Sequence, residues 1–237
     1  MRRAVWLAAV PLGGYALAQI LGRRAGTTRA ERRQPLPGDQ IVAHPQLVTD
    51  HAITISAPPE AVWPWLTQLG WHRGGFYTPY WIDRLLFPAN QPSPDSLDPD
   101  LTRCLRPGDV IPDGPPGTAW YVVRQADPPR TLVLHSVTHV PAAWRREIGA
   151  AIDWTWCFRL TPAPGGSTRL HLRARGRTEP WPLTAAYLAA VPPADLIMAM
   201  GMLHGLRKRV QRQRRMPPPH APGFAPQATP PPTTAGG

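Results

Sequence analysis

The sequence predicts an α+β domain: an antiparallel sheet with a long C-terminal helix lying on it. Three observations carry this. Between 152 and 161, Ile152, Trp154, Trp156, Phe158 and Leu160 share one face of an extended chain, and Asp153, Thr155, Cys157 and Arg159 the other. Residues 167–176 repeat the pattern, with Leu170 and Leu172 opposing Arg169, His171, Arg173 and Arg175. Period two with one apolar face describes a sheet covered on one side only. The cover is the third observation, a helix in which Leu196, Leu203, Leu206 and Val210 form a stripe beside Met198, Met200 and Met202.

The elements follow in order. Residues 4–22 contain no charge and are bracketed by Arg2-Arg3 and Arg23-Arg24. At about 1.5 Å per residue the stretch is roughly 28 Å long, near the ~30 Å hydrocarbon core of a bilayer. A retained single-span anchor is the preferred reading. Five arginines follow the stretch and two precede it, which keeps the domain on the cytoplasmic side of a bacterial cytoplasmic membrane. A signal peptide cleaved near Ala16-Leu17-Ala18 and a surface-lying helix are the alternatives. Residues 23–47 read as a linker, 48–215 as the domain, and 216–237 as a disordered Pro-rich tail.

Within the domain, a strand containing Ile53 and Ile55 runs into Ser56-Ala57-Pro58-Pro59-Glu60 and an aromatic-rich helix that stops at Gly70. Pro59 suits the first helical turn and Glu60 the positive end of the dipole. A glycine-centred loop follows, Arg73-Gly74-Gly75-Phe76-Tyr77. Residues 88–117 are rich in proline and acids and read as irregular, up to a turn at Arg106-Pro107-Gly108-Asp109. Strands are expected at 118–125, 131–138, 152–161 and 167–176, the last two joined through the Pro162–Gly166 turn. Pro192-Pro193 marks the start of the final helix or a kink in it, and Asp195 suits its first turn.

Strand, "APPEAVW", helix and Gly-Gly-Phe-Tyr loop together resemble the opening of the SRPBCC (START-like, helix-grip) superfamily, in particular its polyketide cyclase/dehydrase and lipid-transport-like group. The resemblance implies a curved antiparallel sheet wrapped around a long C-terminal helix, with a pocket for an apolar ligand between them. Where such relatives carry Ser-Tyr-Asp-Trp-Leu-Glu after the loop, this chain has Thr78-Pro79-Tyr80-Trp81-Ile82-Asp83, so only the second acid is kept.

The net charge of +11 is unevenly placed. Residues 1–33 carry seven arginines against one acid, and residues 207–215 six basic groups and no acid, leaving a nearly neutral body. Basic ends on a neutral domain suit an anionic membrane surface better than nucleic acid. Cys104 and Cys157 form no CxxC pair and no histidine cluster has ligand spacing, so neither a metal nor any other cofactor is implied.

The candidate cavity residues are Trp65, Arg73, Phe76, Tyr77, Trp81, Trp120, His135, Trp154, Trp156, Met200 and His204. Large rigid aromatics suit a hydrophobic cavity, and equally a filled core. Phe76 and Tyr77 would close its mouth, with Arg73 facing an acidic head group. His135, His139, His204 and Asp153 are the plausible acid–base groups, although alternation turns Asp153 away from the tryptophans. Phosphate-loop, dinucleotide and nucleophile-elbow motifs are absent from the sequence. The expected function is therefore binding of a hydrophobic small molecule, lipid or polyketide-like, rather than catalysis. The alternatives are an aromatase/cyclase- or dehydratase-like enzyme and a cavity-free structural or partner-binding module.

Overall fold

The computed structural model describes residues 2–86, 91–102 and 104–215, with side chains from residue 12 onward except that of Leu86. Helices α1 (Arg2–Arg24) and α2 (Arg29–Arg33) precede strand β1 (Leu47–Ile55), and α3 (Pro59–Thr67) and α4 (Tyr80–Leu86) follow it. Strands β2 (Val110–Pro112), β3 (Trp120–Asp127) and β4 (Thr131–Ser136) lead to the short helix α5 (Ala142–Glu147). The hairpin β5 (Ala151–Ala163) and β6 (Ser167–Glu179) then feeds α6 (Trp181–Arg215). The expected tail beyond 216 lies outside the described residues.

All six strands form one antiparallel sheet in the order β1-β6-β5-β4-β3-β2. The fold is thus the α+β arrangement that the resemblance implies, with α6 packed against β1 and β6. Register sets the inner face. His51, Leu172, Phe158 and Leu132 form one cross-strand row, and Thr49, Ala174, Trp156 and Leu134 the next. Trp154 lies over Gly176, where a Cβ would overlap its ring, so this glycine is what lets the indole lie flat on the sheet. Ala199, Met202, Leu203, Leu206 and Val210 bring α6 down onto this face.

The outer face departs from expectation. It is covered in part, over β6 and the adjoining β5 and β4, by residues 25–46. Arg169 of β6 reaches Glu31 at 2.7 Å and Gly26 O at 2.6 Å. Arg173 donates to the carbonyls of Gln34, Glu31 and Arg32, and Arg175 to those of Val42 and Ala43. Below them Leu36 packs on Val133 and Cys157. The alternate polar positions of β6 look solvated in sequence; Arg169, Arg173 and Arg175 donate to the backbone of the N-terminal arm, and His171 pairs with Asp50. Thr28 and Glu31 close a capping box on α2 that fixes the arm's bend.

Helix α6 runs through Pro192 and Pro193 instead of starting there. Neither proline carries an N–H, so the carbonyls four residues earlier, Leu188 O and Ala189 O, lose their helical partners. Helix α1 replaces them. Gln19 Nε2 donates to Leu188 O at 3.1 Å and to Ala189 O at 2.7 Å, and Tyr15 Oη to Ala189 O at 2.8 Å. Gly22 lets the helices close, since a Cβ there would overlap the Pro192 carbonyl.

Among the described residues, the helix long and apolar enough to cross a bilayer is α6, with 22% of its apolar window buried. Its second half is the core helix of the domain. The segment expected as an anchor, residues 4–22, falls in α1, and its side chains up to residue 11 lie outside the described residues.

Candidate functional site

The loop after α3 is built on two glycines. Gly70 and Gly75, both at positive φ, exchange backbone hydrogen bonds of 3.0 and 3.1 Å and close a tight bridge. Tyr77 leaves the loop at φ 59°, in the left-handed region that side chains rarely adopt. The surroundings hold it there. Its hydroxyl donates to Trp65 O at 2.7 Å, and its backbone N–H donates to Ser93 Oγ at 3.0 Å. Its carbonyl packs on Gly205 of α6, and the Arg209 guanidinium lies 5.4 Å from its ring. Burial pushes the Tyr77 phenol well above its ordinary pKa, so it stays a neutral donor.

Beside this loop opens a cavity of about 280 Å³, walled by Trp71, Arg73, Phe76, Asp83 and the segment 91–94. Its size is near the lower end of small-molecule sites, ~300 Å³. Arg73 commits Nε to Leu69 O at 3.0 Å and Nη2 to Thr67 O at 2.7 Å, holding its guanidinium in the wall at the end of α3. Asp83 accepts from Thr78 Oγ1 at 2.6 Å. Phe76 contributes the apolar side.

From Phe76 an aromatic series runs inward. Trp156 meets Phe76 edge-on at 6.0 Å, Phe158 edge-on at 5.9 Å, and stacks on Tyr121 at 4.9 Å. The Trp156 Nε1–H is buried and has no acceptor among the described residues. Burial, then the nearby Asp113, Asp195 and Tyr187, push the Tyr121 phenol well above its ordinary pKa. Toward the α6 end, between Leu47, Trp154 and Tyr187, only about 10 Å³ is open, scarcely room for one water.

The expected cavity residues are therefore dispersed. Arg73 and Phe76 line the cavity, and Trp156 backs it. Trp65, Tyr77 and Trp154 are core residues; Trp65 Nε1 donates to Gln213 at 3.2 Å. Trp120, half-buried on β3, makes backbone bonds to Thr138. His135 sits on the outer face, paired with Asp153 at 2.6 Å, because Leu132 and Leu134 occupy the inward positions of β4. Trp81 and His204 are exposed, and Met200 is half-buried beside His204, whose Nδ1 lies 2.7 Å from Met200 O.

Two polar constellations escaped the sequence reading. His51 Nε2 lies 2.9 Å from Asp195 Oδ2, which also accepts from Thr49 Oγ1 at 2.5 Å; His51 Nδ1 is buried without a partner among the described residues. Both signals were present in sequence: His51 shares a face with Ile53 and Ile55, and Asp195 is the one acid between 181 and 206. The second runs Ser136 Oγ to His139 Nδ1 at 2.7 Å and His139 Nε2 to Asp113 at 2.8 Å. Ser136 is buried and also accepts from Thr138 N, so this chain ties the β4 exit to β2. No group of three potential metal ligands occurs among the described residues.

No protein-family model and no curated protein matches the chain. Solved structures do resemble it. A hypothetical protein from Helicobacter pylori aligns over 78% of this chain and 98% of its own, with TM-score 0.46 and 13% identity. An aromatase/cyclase from a Streptomyces species aligns over 71% and 95%, with TM-score 0.42 and 15% identity. A protein from Mesorhizobium loti aligns over 70% and 97%, with TM-score 0.41 and 20% identity. These likenesses concern the fold alone.

Proposed function

We propose that this chain binds a hydrophobic small molecule, lipid or polyketide-like, while tethered to the cytoplasmic face of a membrane through residues 1–22. The ligand enters beside the Arg73–Tyr77 loop and places its apolar body against Phe76 and Trp156. The Trp156 indole N–H, without an acceptor among the described residues, carries the reading. A buried donor without an acceptor costs about 1–3 kcal/mol, and a ligand oxygen seated there would recover it. Selectivity then comes from the shape of the wall and the fixed positions of Arg73 and Asp83. Binding needs no catalytic group, and no cofactor or metal is invoked. The basic end of α6 adds attraction to anionic lipid.

The test is native mass spectrometry and organic extraction of the full chain purified in detergent. A co-purifying amphiphile that is lost in Phe76→Ala supports the proposal. A protein that is empty and leaves apolar fluorescent probes unbound overturns it.

One observation favours a proton-transfer enzyme as the second reading: His51 presents an Nδ1 without a partner among the described residues, beside Asp195 on the inner face of the sheet. In that case His51→Gln abolishes turnover of a bound poly-ketone while leaving its affinity in place.

A further inference from the structure

We infer that His72 is a ligand-binding residue of the cavity, whose imidazole N–H donates to an oxygen in the head group of the ligand. The inference rests on the proposed function and gives that reading a polar contact at the mouth.

His72 stands where the backbone calls for a different residue. Arg73 N–H donates to Gly70 O at 3.1 Å, closing a four-residue turn with Trp71 and His72 at its centre. His72 takes φ 53°, whereas Trp71 is not among the residues at positive φ. That pattern of signs is a type II turn, whose third position goes to glycine or asparagine because a larger side chain crowds the backbone there. The loop carries glycine at 70, 74 and 75, and histidine at this position.

The turn does not depend on the imidazole. Its bonds are between backbone groups: Trp71 N–H donates to Pro112 O and Gly74 N–H to Gln68 O, both at 2.7 Å. Tyr77, the other non-glycine residue at positive φ among those described, is held by its buried ring and by bonds from its hydroxyl and its amide. His72 is exposed instead. His51, His135, His139, His171 and His204 each set a ring nitrogen within 2.9 Å of a partner. The His72 ring has no hydrogen-bond partner among the described residues, and meets only its neighbour Trp71, edge-on at 3.8 Å. Backbone strain that no packing demands marks a functional position.

The cavity gives the side chain its use. His72 lines it with Trp71, Arg73, Phe76 and Asp83. Arg73 is committed to Leu69 O and Thr67 O, and Asp83 accepts from Thr78 Oγ1. The imidazole carries no such commitment. Phe76 and, behind it, Trp156 take the apolar body of the ligand. A donor on the exposed edge of such a site sorts ligands by their heads, because an oxygen gains a bond there that a hydrocarbon does not.

The experiment uses the full chain in detergent with 2-naphthol and 2-methylnaphthalene, probes of one shape that differ by a hydroxyl against a methyl. Calorimetric titration of wild type, His72→Gly and His72→Asn in the same detergent cancels partition into micelles. Both variants suit a left-handed φ, so their thermal midpoints are expected at or above that of the wild type. His72→Gly is expected to weaken 2-naphthol about tenfold, the worth of one net hydrogen bond, and to leave 2-methylnaphthalene within about twofold. Unchanged 2-naphthol affinity in both variants overturns the role of His72 and leaves the cavity reading standing. Equal loss of both probes, or lowered midpoints in both variants, makes His72 a structural residue of the turn and also overturns the inference. A wild-type protein that binds neither probe overturns the inference and the cavity reading together.

Discussion

Arg173 and Asp50 face each other across β6 and β1 on the outer side of the sheet, Nε to Oδ1 at 2.8 Å, both almost wholly buried. His171 Nε2 reaches the same carboxylate oxygen at 2.7 Å, and Asp39 meets the other side of the guanidinium at 2.9 Å. Asp50→Ala would leave Arg173 and His171 without their shared carboxylate inside a covered face. A broken buried pair costs about 3–5 kcal/mol. The expected result is a large fall in the denaturant midpoint and release of the N-terminal arm, read as faster amide exchange over residues 30–46.

The Glu31 carboxyl is held down to about 2, from an ordinary 4.5, mainly by its hydrogen bond from Arg169. Its folded pKa lies below the unfolded one. The stabilisation is therefore present above about pH 4.5 and is lost as the pH falls toward 2. The pair sits near the surface, so about 1 kcal/mol is expected after screening. Unfolding at pH 6 and pH 3 checks this: Glu31→Gln lowers stability at pH 6 and flattens the difference between the two.

Trp156→Phe separates a structural role from a ligand-binding one. The substitution removes a donor that makes no bond within the described residues, so no hydrogen bond is lost from the fold. The smaller ring leaves a gap beside Tyr121 and Phe158, so a loss of about 1–3 kcal/mol in stability is expected from packing alone. Affinity for the extracted amphiphile should fall about tenfold, matching one net hydrogen bond of ~1.4 kcal/mol. Equal affinity in both proteins places the ligand elsewhere.

Gly205→Ala tests the seat of the loop on α6. A Cβ there overlaps the Tyr77 carbonyl, and backbone cannot yield as a flexible side chain does. Overpacking of this kind costs about 1–3 kcal/mol. Calorimetry should show the loss, and ligand retention should drop with it because Phe76 moves with Tyr77.

Cys157 is buried, and desolvation pushes its thiol up to about 12, whereas Cys104 is exposed. Iodoacetamide at pH 8 should add one group to the native protein and two to the denatured one, counted by intact mass.

Period two in β5 and β6 and the stripe in α6 made the sheet and its covering helix legible, because burial on one face forces that alternation. The outer cover was not. Arg169, Arg173 and Arg175 alternate as solvated residues would, and nothing local reveals that their donors meet backbone carbonyls more than a hundred residues away. The cavity was legible only at its loop. Arg73 and Phe76 announced themselves through the paired glycines, and His135 misled because its face depends on the register of β4. Prolines 192 and 193 read as a helix start or a kink, and the choice between them was not legible because the compensating donors on α1 are invisible to any local pattern.

Gln19 and Ala189 stand 170 residues apart. At about 5–20 residues per second, a ribosome needs roughly 10–30 s to carry the chain from one to the other. Throughout that interval α1 exists and its partner does not. Helix α1 therefore takes its seat on α6 only after every strand of the sheet has been made.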